Sequence, residues 1–155
     1  MLSKLQTVVA FIAAMVVASS GKPVTIQGVV SGAISCGGSS GFVSMELTDC
    51  TAAPCNVSTG TTYEIGISFL SQETTSNVNW LLYLYYPNGG VNRIADKTAE
   101  GSIVDGIQYR VADNFVIPDR FNGIDGELSV MLMNGETGSR VTCGIFPVVI
   151  APNAS

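Results

Sequence analysis

Residues 62–69 read TYEIGISF, and their apolar side chains recur at every second position, at Tyr63, Ile65, Ile67 and Phe69. Successive side chains of a β-strand point to opposite sides, so these four would share one face. The residues between them are small or polar and suit contact with solvent. A period of two therefore predicts a strand that covers an apolar core with one of its sides.

The same period, or a continuous apolar run, marks five further segments: 42–47, 78–86, 108–115, 127–132 and 140–150. Each is bounded by turn-forming residues such as Gly, Asn, Asp or Pro, which predicts that each is a separate strand. The run VNWLLYLYY at 78–86 is apolar on both faces, which predicts a central strand buried on both sides.

The segment at 91–104, VNRIADKTAEGSIV, has the least pattern, and we expect a long loop or a short irregular strand there. Beyond the N-terminal apolar run, no segment shows a helical period. About seven strands without intervening helices predict an all-β chain, folded as an immunoglobulin-like sandwich of two antiparallel sheets.

The chain has four cysteines, at Cys36, Cys50, Cys55 and Cys143. Four cysteines allow three pairings. The spacing favours a nested arrangement, Cys36–Cys143 around Cys50–Cys55, in which the inner pair closes one tight loop and the outer pair brackets almost the whole folded region. Such a disulfide frame is typical of small secreted domains.

The N-terminus supports an oxidising destination. Lys4 is the only charged residue before an apolar run over residues 5–17, and the small residues ASSG follow. A run this short, between a basic residue and a small-residue cleavage site, is typical of a secretory signal peptide. We therefore predict a signal peptide over residues 1–20 and a single domain over residues 21–155. The alternative is a retained membrane anchor.

The charged residues argue against several functions. The chain has 7 basic and 12 acidic residues without a basic cluster, which disfavours binding of nucleic acid or of an anionic membrane. It contains no histidine, so it lacks the usual general base and the commonest metal ligand. We expect no enzymatic activity, no cofactor and no metal site. The oxygen-bearing side chains near one turn fit a solvated loop better than a calcium site; they are Asp119, Asn122, Asp125 and Glu127.

One polar position carries a prediction of its own. Asn56-Val-Ser58 is an acceptor sequon, so Asn56 is the predicted glycosylation site. A second sequon begins at Asn153, at the very end of the chain. We expect surface glycosylation at Asn56 alone.

The strongest remaining signal is apolar. The side chains on the predicted inward faces would suit contact with a hydrophobic ligand, but on pattern alone they equally describe a dry, close-packed core. These candidate ligand-contact residues are Leu47, Tyr63, Ile65, Ile67, Phe69, Leu82, Leu84, Val111, Phe115, Ile117, Phe121, Leu128, Val130, Leu132, Phe146 and Val148.

Short motifs around the cysteines follow one another in a recognisable order. They are Cys36-Gly37, Cys50, Pro54-Cys55, Gly60 with the strand TYEIGISF, Gly106, Tyr109, Val116-Ile117-Pro118, Gly126, Gly138, Cys143 and Pro147-Val148-Val149-Ile150. In this order they resemble the ML (lipid-recognition) domain family, and most of all its soluble Niemann-Pick type C cholesterol-carrier branch. The resemblance covers essentially the whole mature chain. Residues 87–108 depart from it, because many members have a further disulfide there.

The resemblance implies a sandwich with an apolar cavity between its sheets. That cavity would hold one hydrophobic small molecule: a sterol, a fatty acid or a phospholipid. The protein would be secreted, or lie in the lumen of endosomes or lysosomes, without being embedded in a membrane. It would act with a membrane receptor or a lipid-transfer partner. The alternative function is that of a receptor-associated or innate-immune recognition protein outside the cell.

The resemblance also implies roles for individual residues. By alignment, Leu47 and Phe121 would contact the ligand, and the ring of Phe121 would act as a gate. A hydroxyl for the ligand head group would come from the aromatic run, at Tyr83, Tyr85 or Tyr86.

Overall fold

Each of the six segments between residues 42 and 150 that has an alternating or continuous apolar pattern forms a β-strand. The computed structural model describes residues 27–99 and 101–154, so the predicted signal peptide over residues 1–20 lies outside the described residues. Ten strands form within the described part of the chain: β1 (Gln27–Val29), β2 (Ile34–Gly37), β3 (Gly41–Thr48), β4 (Cys55–Ser58), β5 (Thr62–Leu70), β6 (Val78–Tyr85), β7 (Val91–Ala99), β8 (Gln108–Val116), β9 (Asp125–Asn134) and β10 (Arg140–Ala151).

The strands form two sheets. The four-stranded sheet has the order β1-β3-β5-β8, and the six-stranded sheet has the order β2-β10-β9-β6-β7, with β4 also paired to β10. Neighbouring strands are antiparallel except β4 and β10, which run parallel. The predicted two-sheet sandwich is confirmed. A short 3-10 helix, Asp119–Phe121, interrupts the β structure between β8 and β9.

Three strands in addition to the expected number of about seven come mainly from short pieces and from β7. Residues 91–104 were expected to form a loop or a short irregular strand, but Val91–Ala99 forms a full strand that pairs with β6 along its length. Its sequence lacks a clear period because five of its nine side chains are polar, and four of those five are exposed. Charged and polar residues are usual on edge strands, where they discourage pairing with other chains.

The expectation that residues 78–86 are buried on both sides was wrong. Burial alternates along β6, with Trp80 and Leu82 buried and Tyr83 and Tyr85 only partly buried. One face of β6 covers the core, and the other belongs to the outer surface of the six-stranded sheet. Tyrosine tolerates such a half-exposed position because its ring is apolar and its hydroxyl is polar.

The inward faces of the two sheets form a buried apolar interior. Ile65 and Ile67 of β5 and Leu82 and Leu128 of the facing sheet are completely buried. On β10, Phe146 faces this interior, although the bulge at Cys143 and Gly144 shifts the register of the strand.

One long side of the sandwich is closed covalently. Cys50, which follows β3 in the four-stranded sheet, forms a disulfide with Cys55, which begins β4 in the six-stranded sheet. The two sheets also lie close together at Gly144 of β10. A methyl group placed there would overlap with the side chains of Met45 and Phe42 on β3.

The second disulfide, Cys36–Cys143, lies within the six-stranded sheet and joins β2 to β10. The two pairs together form the nested arrangement that the spacing favoured. Their ring sizes differ greatly, with sequence separations of 107 for the outer pair and 5 for the inner pair.

Removing the outer disulfide should therefore cost more stability than removing the inner one. Chain entropy predicts a loss of about 5 kcal/mol for Cys36→Ala with Cys143→Ala, and of about 2 kcal/mol for Cys50→Ala with Cys55→Ala. Urea unfolding of the two double variants measures both free energies. Equal losses, or a larger loss from the inner pair, would contradict the chain-entropy explanation.

Candidate ligand-binding site at the seam between the sheets

The last strands of the two sheets face each other along the side opposite the inner disulfide. There β7 is the last strand of the six-stranded sheet and β8 is the last strand of the four-stranded sheet, and neither pairs with the other. We call the gap between these two strands the seam. It contains two cavities, of about 260 and 530 Å³, and Lys97 contributes to the wall of both.

Apolar side chains from both sheets reach the seam cavities. The smaller cavity is lined in part by Ala95 and Phe115, and the larger one in part by Trp80 and Val111. Strand register explains this placement, because Val111 pairs with the completely buried Ile67 and so points inward. The apolar side chains that line the seam therefore belong to the edge of the core.

Lys97 connects the two sides of the seam. Its ammonium nitrogen lies 2.8 Å from Asp113 Oδ1 on β8 and donates a hydrogen bond to the Asn114 carbonyl oxygen at 3.0 Å. Lys97 pairs with Trp80 across β6 and β7, and its nitrogen lies 5.9 Å from the centroid of the indole ring. Its aliphatic stem therefore lies between the two cavities, and its charge joins β7 to β8.

The ion pair between Lys97 and Asp113 contributes little free energy because both side chains are partly exposed. The side chains of Lys97 and Asp113 are 44% and 35% exposed, and exposed ion pairs of this kind contribute about 0.2–1 kcal/mol. The seam is therefore held by a contact that thermal motion can break, whereas the opposite side is held by a covalent bond.

A second cation near the seam is engaged with carboxylates. Arg110 Nε lies 2.7 Å from Glu46 Oε2, and Arg110 Nη2 lies 3.0 Å from Glu64 Oε1. Partial burial alone would lower the pKa of the Arg110 guanidinium, but the hydrogen bonds to both glutamates outweigh burial and raise that pKa above its usual value. Gly66 leaves room for this side chain, since a Cβ there would lie 3.3 Å from Arg110 Nη2.

The candidate ligand-contact residues lie together in the interior between the sheets. All of them are buried except Val111, which is partly buried and packs against the core. Val111 and Phe115 are the two that line the seam cavities. Sequence reasoning missed Lys97, because it lies in a segment without a period, and it treated Trp80 only as part of an aromatic strand.

The expected gate and head-group residues lie elsewhere. Phe121 is buried, with its ring 6.2 Å from that of Tyr86 and the Arg120 guanidinium 4.5 Å from its centroid. It does not line either seam cavity. Tyr83 and Tyr85 lie on the outer surface of the six-stranded sheet with their rings 6.3 Å apart, so neither offers a hydroxyl to the interior.

A third cavity, of about 430 Å³, is a groove at the outer surface of the six-stranded sheet. Its walls include Tyr85, Pro147 and Val149, and two acidic residues, Asp125 and Glu127. The predicted glycosylation site, Asn56, is exposed on β4 and pairs with Val149 at the side of this groove.

Two further features bear on the kind of site. Within residues 27–99 and 101–154, no cluster of three or more His, Cys, Asp or Glu side chains could hold a metal ion. Among the same residues, the chain forms no helix that is long and apolar enough to cross a membrane.

Comparison with solved structures identifies proteins of the same fold. A Niemann-Pick type C2 protein from the Japanese carpenter ant superposes with a TM-score of 0.65 at 13% sequence identity, covering 76% of this chain and 97% of that one. The two proteins share one fold. Chicken MD-1, solved in complex with lipid IVa, gives a TM-score of 0.51 at 14% identity, with 74% and 85% of the chains covered.

The fold is also shared with the C-terminal domain of wzt, which gives a TM-score of 0.53 at 10% identity and covers 86% of this chain and 81% of that domain. No protein-family model matches the sequence, and no curated protein matches it. At such low identities the likeness establishes the fold, and the family membership implied by the sequence motifs stays a prediction.

Lys97→Met should loosen the seam without unfolding the protein. It keeps the aliphatic stem and removes the charge, so we expect faster amide hydrogen exchange in β7 and β8 and a loss of less than about 1 kcal/mol in the free energy of unfolding. Hydrogen exchange followed by mass spectrometry measures the change.

Arg93→Met is the matched control, because Arg93 pairs with Asp96 on its own strand and does not bridge the seam. It should leave exchange in β8 unchanged. Equal effects of the two variants on β8 would show that Lys97 does not hold the seam.

Proposed function

We propose that the protein is a lipid-binding and lipid-transfer protein that holds one hydrophobic molecule between its two sheets. The single observation that carries this proposal is the seam, where apolar side chains at the margin of the core line two open cavities whose shared wall includes the ion pair of Lys97 with Asp113. The folds of a Niemann-Pick type C2 protein and of MD-1 bound to lipid IVa support it. The resemblance in sequence motifs supports it independently.

The free energy available from such binding is adequate. Moving ~400 Å² of lipid surface out of water contributes on the order of 10 kcal/mol at ~25 cal/mol per Å², before the cost of association is subtracted. The larger seam cavity, about 530 Å³, is within the range of about 300–1,000 Å³ that is usual for small-molecule sites.

Entry of the ligand would occur by separation of β7 from β8. Among the strands that the structure describes, edge strand β7 pairs only with β6, so it can move without breaking a second ladder of hydrogen bonds to any of them. Breaking the contact between Lys97 and Asp113 would join the two cavities. An acyl chain or a sterol ring system could then displace the interior side chains that the sequence identified as ligand contacts.

The ligand class we propose is a sterol first, then a fatty acid or a phospholipid. The site of action would be outside the cell or in the lumen of endosomes or lysosomes, as the disulfides and the predicted signal peptide favour. The protein would carry its ligand without chemistry, and Asn56 would carry a glycan on the outer surface, away from the seam.

Native mass spectrometry before and after organic extraction tests whether the purified protein contains a lipid. We expect a mass that falls by that of one lipid molecule on extraction. A protein that has no extractable ligand and whose thermal stability does not change on adding lipid would contradict the proposal.

Val111→Trp should block the site, because its indole ring would fill the larger seam cavity. We expect lipid affinity to fall by about tenfold or more, which corresponds to about 1.4 kcal/mol of binding free energy. The reason is that the ligand would have to compete with the indole ring for the same space. Binding of a fluorescent sterol measures the change. Val43→Trp is the matched control, because Val43 is 50% exposed on β3, and its affinity should equal that of the unmodified protein.

A second candidate function, receptor association outside the cell, is favoured by the outer groove. Asp125 and Glu127 are the charged residues that line it, so a partner with a basic surface segment would complement it. Glu127→Lys should abolish capture of such a receptor and leave lipid content unchanged. A protein that forms no stable complex with any membrane receptor would contradict this alternative.

A further inference from the structure

The indole nitrogen of Trp80 is buried and has no hydrogen-bond partner among residues 27–99 and 101–154. Trp80 is 1% exposed and contributes to the wall of the larger seam cavity. Buried donors without an acceptor cost desolvation free energy, and native proteins satisfy nearly all of them with protein groups or bound molecules. This N–H therefore needs an acceptor that the chain around it does not provide.

Strand register explains why neighbouring side chains do not provide one. Trp80 pairs with Leu132 on β9 and with Lys97 on β7, and all three point to the inner side of the sheet. Leucine has no polar side-chain atom, and the lysine ammonium only donates. Across the larger cavity, Val111 presents an apolar side chain, and Asp113 Oδ1 already accepts from Lys97 and from the Asn114 backbone N–H.

We propose that Trp80 Nε1 donates a hydrogen bond to a neutral oxygen of the bound lipid, a hydroxyl or an ester carbonyl. The proposal rests on the proposed function and defines the chemistry of its ligand. Since an indole N–H can only donate, the ligand group must be an acceptor. The apolar remainder of the ligand would extend from Trp80 into the interior between the sheets.

The charges around the cavity favour a neutral acceptor over a carboxylate. Lys97 is already paired with Asp113, and Arg110 with Glu46 and Glu64. Once the seam has closed again and both ion pairs are re-formed, an ionised head group would have lost its hydration without gaining an unengaged cation, which is costly in an apolar site. A single N–H donor suffices for a hydroxyl or a carbonyl oxygen.

A comparison of decane with decanol tests the inference, because the two match in chain length and differ by one hydroxyl. Each competes with the neutral fluorescent probe N-phenylnaphthylamine for delipidated protein, which gives two dissociation constants and their ratio. Trp80→Phe keeps an aromatic ring and removes the N–H. We expect it to reduce the relative affinity for decanol by about fivefold to tenfold, the usual effect of one hydrogen bond.

Phe115→Leu is the control, because it alters a buried aromatic residue at the smaller cavity without changing any donor. It should change both affinities alike and keep their ratio. A ratio that is the same in Trp80→Phe and in the unmodified protein would overturn the inference. Decanoate that binds more tightly than decanol at neutral pH would overturn the assignment of a neutral oxygen.

A second measurement needs no variant. Trp80 is the single tryptophan of the chain, so intrinsic fluorescence reports on this indole directly. We expect decanol to shift its emission to longer wavelength and decane to leave it unshifted; equal emission maxima would overturn the inference. A protein from which neither molecule displaces the probe would instead contradict the proposed lipid binding itself.

Discussion

The two long sides of this sandwich are closed by interactions of very different strength. On one side, the Cys50–Cys55 disulfide joins the end of β3 to the start of β4, and therefore joins one sheet to the other. On the opposite side, the ion pair between Lys97 and Asp113 spans the gap. Because the contact across the seam is the weaker of the two, the proposed opening of the interior lies there.

This difference in strength between the two sides allows a buried apolar core to be combined with the proposed carrier function. A core whose side chains are completely buried on both sheets gives the fold its stability through the removal of apolar surface from water. The cavities lie at the margin of that core, where β7 and β8 end their sheets. In the proposed carrier, a ligand would enter by displacing contacts at the margin of the core. The Cys50–Cys55 disulfide on the opposite side would stay intact.

Much of the fold could be predicted from local sequence. Alternation at Tyr63, Ile65 and Ile67 determined which side chains of β5 face the core, because the period of a strand is a local property of the backbone. The prediction failed at Val91–Ala99, where polar side chains conceal a strand that exists only because β6 provides a pairing partner. The prediction that both faces of β6 are buried also failed. An apolar sequence does not show whether another layer of the protein packs on each face of the sheet.

The candidate site was predictable only in part. Val111 and Phe115 belong to the apolar pattern, and the structure places them at the seam. The importance of Lys97 and of the Trp80 indole nitrogen depends on neighbours distant in sequence, and no motif contains both. Tyr83 and Tyr85 of the aromatic run were expected to offer a hydroxyl to the ligand head group, but the pleat of β6 directs them outward.

The sequence by itself determined the strands with a clear period, the inward set of apolar side chains and the nested pairing that the cysteine spacing favours. These follow from short-range geometry and from the separation of residues along the chain. Only the tertiary structure decided that β7 and β8 become facing edges, that Lys97 spans the gap between them, and that Trp80 lies buried with no acceptor in the described part of the chain. Those features arise from the order of strands in the two sheets, which is fixed by the joint burial of both apolar faces and not by any single segment.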